Sequence, residues 1–314
     1  MRKIACLGIF TADLLGRPID QLPPRGRLGL VEEMSLHIGG CASNTGIDLR
    51  KMGIDTAVLG KVGRDGLGDF VVNVLERHGL DTRGLARDDT VGTSATMVLV
   101  GADGERTFLH YLGGNARFFE TDVNWDVIDE CCILHVAGAL VMPQFDGDPM
   151  ARTLKEAKKR GKITSLDTVW DATGKWMKTL APCLPWTDYF LPSLSEAQEI
   201  TGMQDPKDVA KALRDADVKT VILKLGEKGC YIQGRDWELE SPAFSVPVVD
   251  GTGSGDAFDA GFLAGLMLGW DMERIAKFAN AAGAFSVMAL GATGGLKPLE
   301  EIEAFIAAGG LIRE

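Results

Sequence analysis

The stretch Val249-Asp250-Gly251-Thr252-Gly253-Ser254-Gly255-Asp256-Ala257-Phe258 passes from a short apolar, β-like run through glycines into an apolar helix with an acid in its first turn. Gly253, Ser254 and Gly255 carry little side-chain bulk and can turn several backbone N–H groups toward one point. The helix start adds unpaired amides and the positive end of its dipole. This is chemistry for a phosphate, or for the charge that develops on a phosphoryl group in transfer. Asp256 would then be placed to take a proton from an attacking hydroxyl. The same residues also fit an ordinary strand-to-helix turn in which Asp256 only balances the dipole, so the spacing alone leaves both readings open.

Two further glycine sites share this layout. His37-Ile38-Gly39-Gly40-Cys41-Ala42-Ser43-Asn44 is again a strand, glycines and a helix. Gly39 and Gly40 let a polyhydroxylated ligand approach the backbone, and Asn44 can both donate to and accept from hydroxyls. Asp13, just after the first apolar run, suits two sugar hydroxyls, although a turn role fits it equally. Leu191 to Glu196 ends a strand and opens a helix, and Lys224 to Gly229 follows another strand. Glu196 suits a water-bridged Mg²⁺, and the Gly226-to-Gly229 turn suits phosphates or ribose. A capping box between Ser193 and Glu196 and a plain glycine hairpin account for the same residues.

Such sites need elements to hold them. Apolar runs at Lys3 to Phe10, Thr56 to Val62, Cys131 to Val136 and Lys162 to Leu166 read as strands. The helical segments run over Ala42 to Met52, Leu67 to His78, Ala151 to Lys159, Ser195 to Thr201, Pro206 to Leu213, Asp256 to Leu268 and Met272 to Ala289. Strands alternating with helices predict an α/β fold with a parallel sheet between two helical layers. Arg27 to Ile38, after a Gly16-to-Gly26 loop, and Thr93 to Tyr111 break the alternation and read as antiparallel material. They predict a small β-lid, near 16–38 and 93–112, inserted in a single domain.

The 314 residues can bury a sizeable core. With 44 acidic and 33 basic residues, the net charge of −11 argues against nucleic acid or an anionic membrane as partner. Any phosphate chemistry must rest on local amides, a few cations and bound metal. The six cysteines form no C-x-x-C pair, which argues against a zinc framework or redox motif. No secretory signal is evident at Met1-Arg2-Lys3 and no apolar stretch is of spanning length, so a reduced, cytoplasmic, soluble protein is expected. A dehydrogenase is disfavoured, since Gly8-Ile9-Phe10-Thr11 stands where a G-x-G-x-x-G would follow the first strand.

Taken together, in this order and spacing, the motifs resemble those of the PfkB, or ribokinase-like, carbohydrate kinases over nearly the whole chain. Gly39-Gly40 with Asn44 looks like that family's first signature and Asp250 to Asp256 like its second. The resemblance implies a three-layer α/β/α sandwich with a β-lid, and ATP- and Mg²⁺-dependent phosphorylation of a hydroxymethyl group. It implies Asp256 as base and Gly253, Ser254 and Gly255 as the anion hole, with Asp13, Gly39, Gly40 and Asn44 on the acceptor. It puts Ser193, Lys224, Gly226, Gly229 and Asn280 on the nucleotide side, the adenine-side helix starting around Asn280, and Glu196 behind the metal. Asp250 and Thr252, with carbonyls near Gly291, would hold a monovalent cation such as K⁺, as in some members.

The sequence departs from the family pattern at Ser193, where Asn is usual, and at Gly251, where a hydroxyl or similarly small residue is more usual. Cys41 stands where ribokinases proper tend to carry Lys, and the Gly138 region lacks a sugar-binding carboxylate, which disfavours ribose. The acceptor is expected to be a neutral or weakly acidic monosaccharide or sugar acid. A nucleoside kinase and a sugar- or nucleotide-binding regulator without turnover are the alternatives. His110, Tyr111 and Asn115 fit either acceptor contact or lid packing, His135 a buried structural role, and Asp167 the edge of the acceptor cleft. Leu28, Leu30, Val31, Met97, Val98 and Leu99 would give the lid an apolar surface for a homodimer contact.

Overall fold

Alternate side chains of the first apolar run are buried on opposite sides, Ile4 and Cys6 in one core and Ala5 and Leu7 in another. A strand covered on both faces belongs in a parallel sheet between helical layers. In the computed structural model, which describes residues 3–310, the chain opens with β1 (Lys3–Gly8), β2 (Thr11–Arg17), β3 (Glu33–Gly39), α1 (Cys41–Lys51), β4 (Asp55–Gly63), α2 (Gly66–Arg77) and β5 (Asp81–Asp88). It continues through β6 (Ala95–Val100), β7 (Arg106–Tyr111), α3 (Trp125–Asp129), β8 (Ile133–Ala139), α4 (Asp148–Lys159), β9 (Ile163–Thr168), α5 (Met177–Leu180) and β10 (Tyr189–Phe190). It ends with α6 (Leu194–Thr201), α7 (Pro206–Asp215), β11 (Thr220–Lys224), β12 (Cys230–Gln233), β13 (Glu238–Ser241), α8 (Ser254–Leu268), α9 (Met272–Val287) and α10 (Leu299–Ala307).

Nine strands form the large sheet in the order β13-β12-β11-β10-β9-β8-β1-β4-β5. β12 and β13 add antiparallel at one edge, and the other neighbours are parallel. The order reverses on either side of β1, which leaves a crevice beyond the carboxyl ends of β1 and β8, where open α/β sheets place ligands. One core holds α3, α4, α6 and α7 against the sheet, and the other holds α1, α2, α8, α9 and α10. These are the three layers expected from the alternation of strands and helices.

A second sheet of four strands, in the order β3-β2-β6-β7, is built from the two inserted segments. It begins earlier than the sequence suggested. Asp13, read as following a strand, lies within β2, which pairs with both β3 and β6. The expected strand from Arg27 instead starts at Glu33, because Pro18, Pro23, Pro24, Gly26 and Gly29 keep residues 18–32 irregular. Val98, expected on the outer surface, is buried.

α8 needs a chain reversal at its start. Gly253 caps it with φ 78°, a left-handed conformation, and a Cβ there would lie 2.3 Å from the Ala292 carbonyl oxygen. The helix then buries Phe258, Phe262 and Leu263 together with Asp256 and Asp259. Its apolar approach, expected to be β-like, is an extended loop. Pro247 lacks a ladder donor, and Val249 N–H donates to Val287 O at 2.7 Å.

Candidate active site

A cavity of about 520 Å³ opens between α8, α9 and the ends of β9 and β11. Gly253, Ser254, Gly255 and Asp256 form one wall of it, and Ser193, Glu196, Lys224, Gly226, Gly229 and Asn280 contribute elsewhere. Residues from four separate stretches of sequence therefore meet around one space, with α8 aiming its first-turn amides at it. Asp167 also lines it, at the end of β9.

Asp256 lies at the junction between this cavity and α1. Asn44 Nδ2 donates to Asp256 Oδ2 at 2.8 Å, and both residues are buried. Burial pushes the Asp256 carboxyl up, Asn44 pulls it back, Asp167 raises it, and Lys224 and the Cys41 thiol lower it. The result is about 6. Asn44 was expected to spend its amide on the acceptor; the packing of α1 on α8 turns that amide to Asp256 instead. Its Oδ1 has no partner, and neither does Asp13 Oδ1.

Asp13 projects from β2 beside Thr11 and Thr96. Burial raises its pKa, against hydrogen bonds from those two hydroxyls. Gly39 makes room for it, since a Cβ at Gly39 would lie 2.0 Å from Asp13 Oδ2. Gly40, with φ 96°, then turns the chain into α1. The orphaned oxygens of Asp13 and Asn44 are acceptors suited to ligand hydroxyls, because a buried acceptor without a donor is costly.

Lys224 was expected on the nucleotide, but its ammonium turns inward. It meets Asp167 Oδ1 at 2.9 Å and Asp259 at 3.2 Å, below the α8 start. Burial disfavours its charge, yet Asp167, Asp259 and Glu196 more than reverse this and hold its pKa above the ordinary lysine value. Burial and Asp167 push Asp259 well up. Sequence reading did not single out Asp259, although an acid three residues after Asp256 in an apolar helix was a visible signal.

Ser193 and Glu196 form the capping box foreseen as the plain alternative. Glu196 Oε2 accepts from Ser193 N at 3.0 Å and Ser193 Oγ at 2.7 Å, and also from Thr168 Oγ1 at 3.2 Å. Burial, with Asp167 adding to it, raises the Glu196 pKa. Both residues still face the cavity. Gly226 and Gly229 bracket a single 3₁₀ turn, with φ 61° and 92°.

Two expectations need correction. Asn280 does not start a helix but sits within α9, and its Nδ2 donates to Ser241 O and Oγ at 3.0 Å and Pro242 O at 3.3 Å, pinning the chain that follows β13. Asp250 does not present a bare carboxylate to a monovalent cation: Arg106, Thr252 and the Gly291 N–H occupy it. Burial alone would raise the Asp250 pKa, but these bonds hold it at about 2. Of the two roles left open for Asn115, packing is the one seen, its Oδ1 accepting from Phe10 N at 3.1 Å.

His110 pairs with Thr96 at 3.1 Å and Tyr111 is exposed. His135 is buried against Ser165, and burial brings its pKa down to about 4. Phe244, Val246, Phe258, Ala284 and Val287 give the cavity an apolar end that sequence reading missed. Phe244 and Val246 lie outside any strand or helix, so no periodicity marked them.

The sequence model of the pfkB family carbohydrate kinases matches residues 1–298. The chain belongs to this family. Among its PfkB relatives, a probable fructokinase-5 of Arabidopsis thaliana is 28% identical over 293 residues, covering 87% of this chain and 90% of the relative. An uncharacterized sugar kinase of Archaeoglobus fulgidus is 30% identical over 249 residues, covering 79% and 97%. Among solved structures, Thermotoga maritima ribokinase matches with a TM-score of 0.82 at 25% identity, covering 98% of this chain and 100% of that one. A putative ribokinase II from E. coli, in complex with ATP and Mg²⁺, matches with a TM-score of 0.83 at 24% identity, with coverage of 98% and 100%. This PfkB chain therefore has the ribokinase-like fold and is a carbohydrate kinase.

Proposed function

We propose that this kinase transfers the terminal phosphoryl group of ATP to a hydroxymethyl group of a neutral or weakly acidic monosaccharide or sugar acid. The observation that carries this reading is the position of Asp256: a buried carboxylate in the first turn of α8, tied to α1 by Asn44, at the edge of a cavity faced by helix-start amides. As the acceptor oxygen forms its bond to phosphorus and the bond to ADP breaks, the hydroxyl proton passes to Asp256. The Gly253, Ser254 and Gly255 amides stabilise the equatorial oxygens, with the Lys224 charge beneath them. Asp13, Gly39 and the free Oδ1 of Asn44 orient the acceptor.

The apolar end at Phe244, Val246 and Val287 suits a nucleobase, and the Gly226-to-Gly229 turn suits its ribose and phosphates. Glu196 and Asp167 face the same cavity, where Mg²⁺ arriving with the nucleotide would neutralise phosphate charge. We place the protein in the cytoplasm and the small sheet over the acceptor as a lid. Among the described residues no helix is long and apolar enough to cross a membrane.

A coupled kinase assay over pentoses, hexoses, keto-deoxy acids, nucleosides and sugar phosphates tests this reading. Relatives named as fructokinases make fructose the first acceptor to try. Turnover on an unphosphorylated sugar or sugar acid is expected. A sugar phosphate or nucleoside as best acceptor, or no turnover with any, overturns it.

A further inference from the structure

The far end of the small sheet reaches the loop that precedes α8. Arg106 opens β7, where strand alternation puts Arg106, Phe108 and His110 on one face. His110 lies opposite Thr96 and Thr96 opposite Asp13, so Arg106 shares the face that carries Asp13. From there its guanidinium forks onto Asp250, with Nη1 to Oδ1 at 3.3 Å and Nη2 to Oδ2 at 3.0 Å, while Nη1 also donates to Thr252 Oγ1 at 2.9 Å. A forked arginine–carboxylate pair fixes orientation as well as distance. The Asp250 side chain is 5% exposed, so this pair escapes most of the solvent screening that weakens surface ion pairs.

Asp250 holds two other segments. It accepts from Thr252 N at 3.0 Å and Thr252 Oγ1 at 2.7 Å, and from Gly291 N at 3.0 Å. The residue after Thr252 is Gly253, which caps α8 and begins the row of amides facing the cavity. A displacement at Arg106 therefore reaches those amides through one hydroxyl and one carboxylate.

We propose that Arg106 is a positioning residue that locks the lid gripping the acceptor onto the loop leading into the anion hole, so that acceptor capture and the aim of the Gly253-to-Asp256 amides are one event. This rests on the reading of those amides as the phosphoryl site. Asp13 and Arg106 stand on one face of one sheet, and a lid seated on the acceptor seats the guanidinium on Asp250. Without the guanidinium the loop keeps Thr252 and Gly291 but loses its tie to the lid. Water then competes with the acceptor for the phosphoryl group, and the hydrolysis of ATP to ADP and phosphate gains on transfer.

The test uses the full chain with Arg106→Gln, Arg106→Lys and Arg106→Ala. Arg106→Gln is expected to lower kcat by roughly 10–10²-fold, the scale for a small misplacement of reacting groups, with little change in nucleotide KM and with more ATP hydrolysed per sugar phosphorylated. Arg106→Lys should recover part of kcat, and millimolar guanidinium should stimulate Arg106→Ala but not the wild type. Amide hydrogen exchange should quicken in both 101–111 and 250–256 when Arg106 is replaced. A folded Arg106→Gln protein with wild-type kcat and coupling, or one whose 250–256 amides exchange as before, overturns the proposal. A wild type inactive on all acceptors counts against the sugar-kinase reading instead, and the exchange measurement still decides whether Arg106 holds the loop.

Discussion

At the scale of single residues, Asp256 carries opposed consequences for activity and stability. Asp256→Asn keeps an acceptor for Asn44 but cannot take a proton, so kcat should fall by roughly 10²–10⁴-fold with nucleotide binding retained. The folded carboxyl sits at about 6, above its value in an unfolded chain. Its contribution to stability is therefore complete below about pH 4 and lost as pH rises through about 6. At pH 8 the variant should be more stable than wild type by up to about 3 kcal/mol, a gain that vanishes near pH 4 and is read from denaturant midpoints across pH. The same titration predicts an acid limb in wild-type kcat/KM near pH 6; a flat profile from 5 to 8 would remove Asp256 as base.

Asp13→Ala should raise the acceptor KM and lower kcat/KM by about 2–4 kcal/mol, leaving nucleotide KM unchanged; an unchanged acceptor KM would take Asp13 out of the site. Asp256 and Asp13 drew attention in the sequence for different local reasons, the first as an acid beside glycines at a helix start and the second as an acid just after an apolar run. The direction of the Asn44 amide was not, because it depends on how α1 packs against α8. Nor was the partner of Arg106, which lies 144 residues away.

At the scale of elements, strand–helix alternation foretold the parallel sheet, and most helices begin and end within a few residues of expectation. Short elements escaped: β13 and α5 have four residues each, too few to display a period. The cavity wall after β13 escaped for a related reason, since it is held by a side chain rather than by a ladder. Asn280→Ala would strand the carbonyls of Ser241 and Pro242 next to the apolar end of the cavity. It should cost about 1–3 kcal/mol of stability and raise nucleotide KM while leaving acceptor KM near wild type. Chemical denaturation and two-substrate kinetics measure both, and an acceptor-specific defect would contradict this account.

For the whole molecule, the small sheet leaves Met34, Met97, Leu109 and Tyr111 exposed, and the cross-strand register puts them on the face away from Asp13. We predict that two copies pair through this face, because a contiguous apolar surface on a sheet with open edges favours association. Sedimentation at micromolar concentration should give a dimer that Met97→Glu with Leu109→Glu converts to monomer. A wild-type monomer with and without substrates would reject it. The sequence signalled an apolar lid but misplaced part of its surface, because assigning Val98 to a face requires knowing where β6 starts.

The residues proposed for the acceptor lie between Asp13 and Asn44, whereas those lining the cavity proposed for the nucleotide, apart from Cys41, lie between Asp167 and Val287. The two halves meet where Asn44 touches Asp256. Substrate choice is therefore close to a cassette: grafting the first third of a relative onto the remainder of this chain should exchange the sugar and keep the nucleotide, provided the transplanted α1 still offers an amide to Asp256.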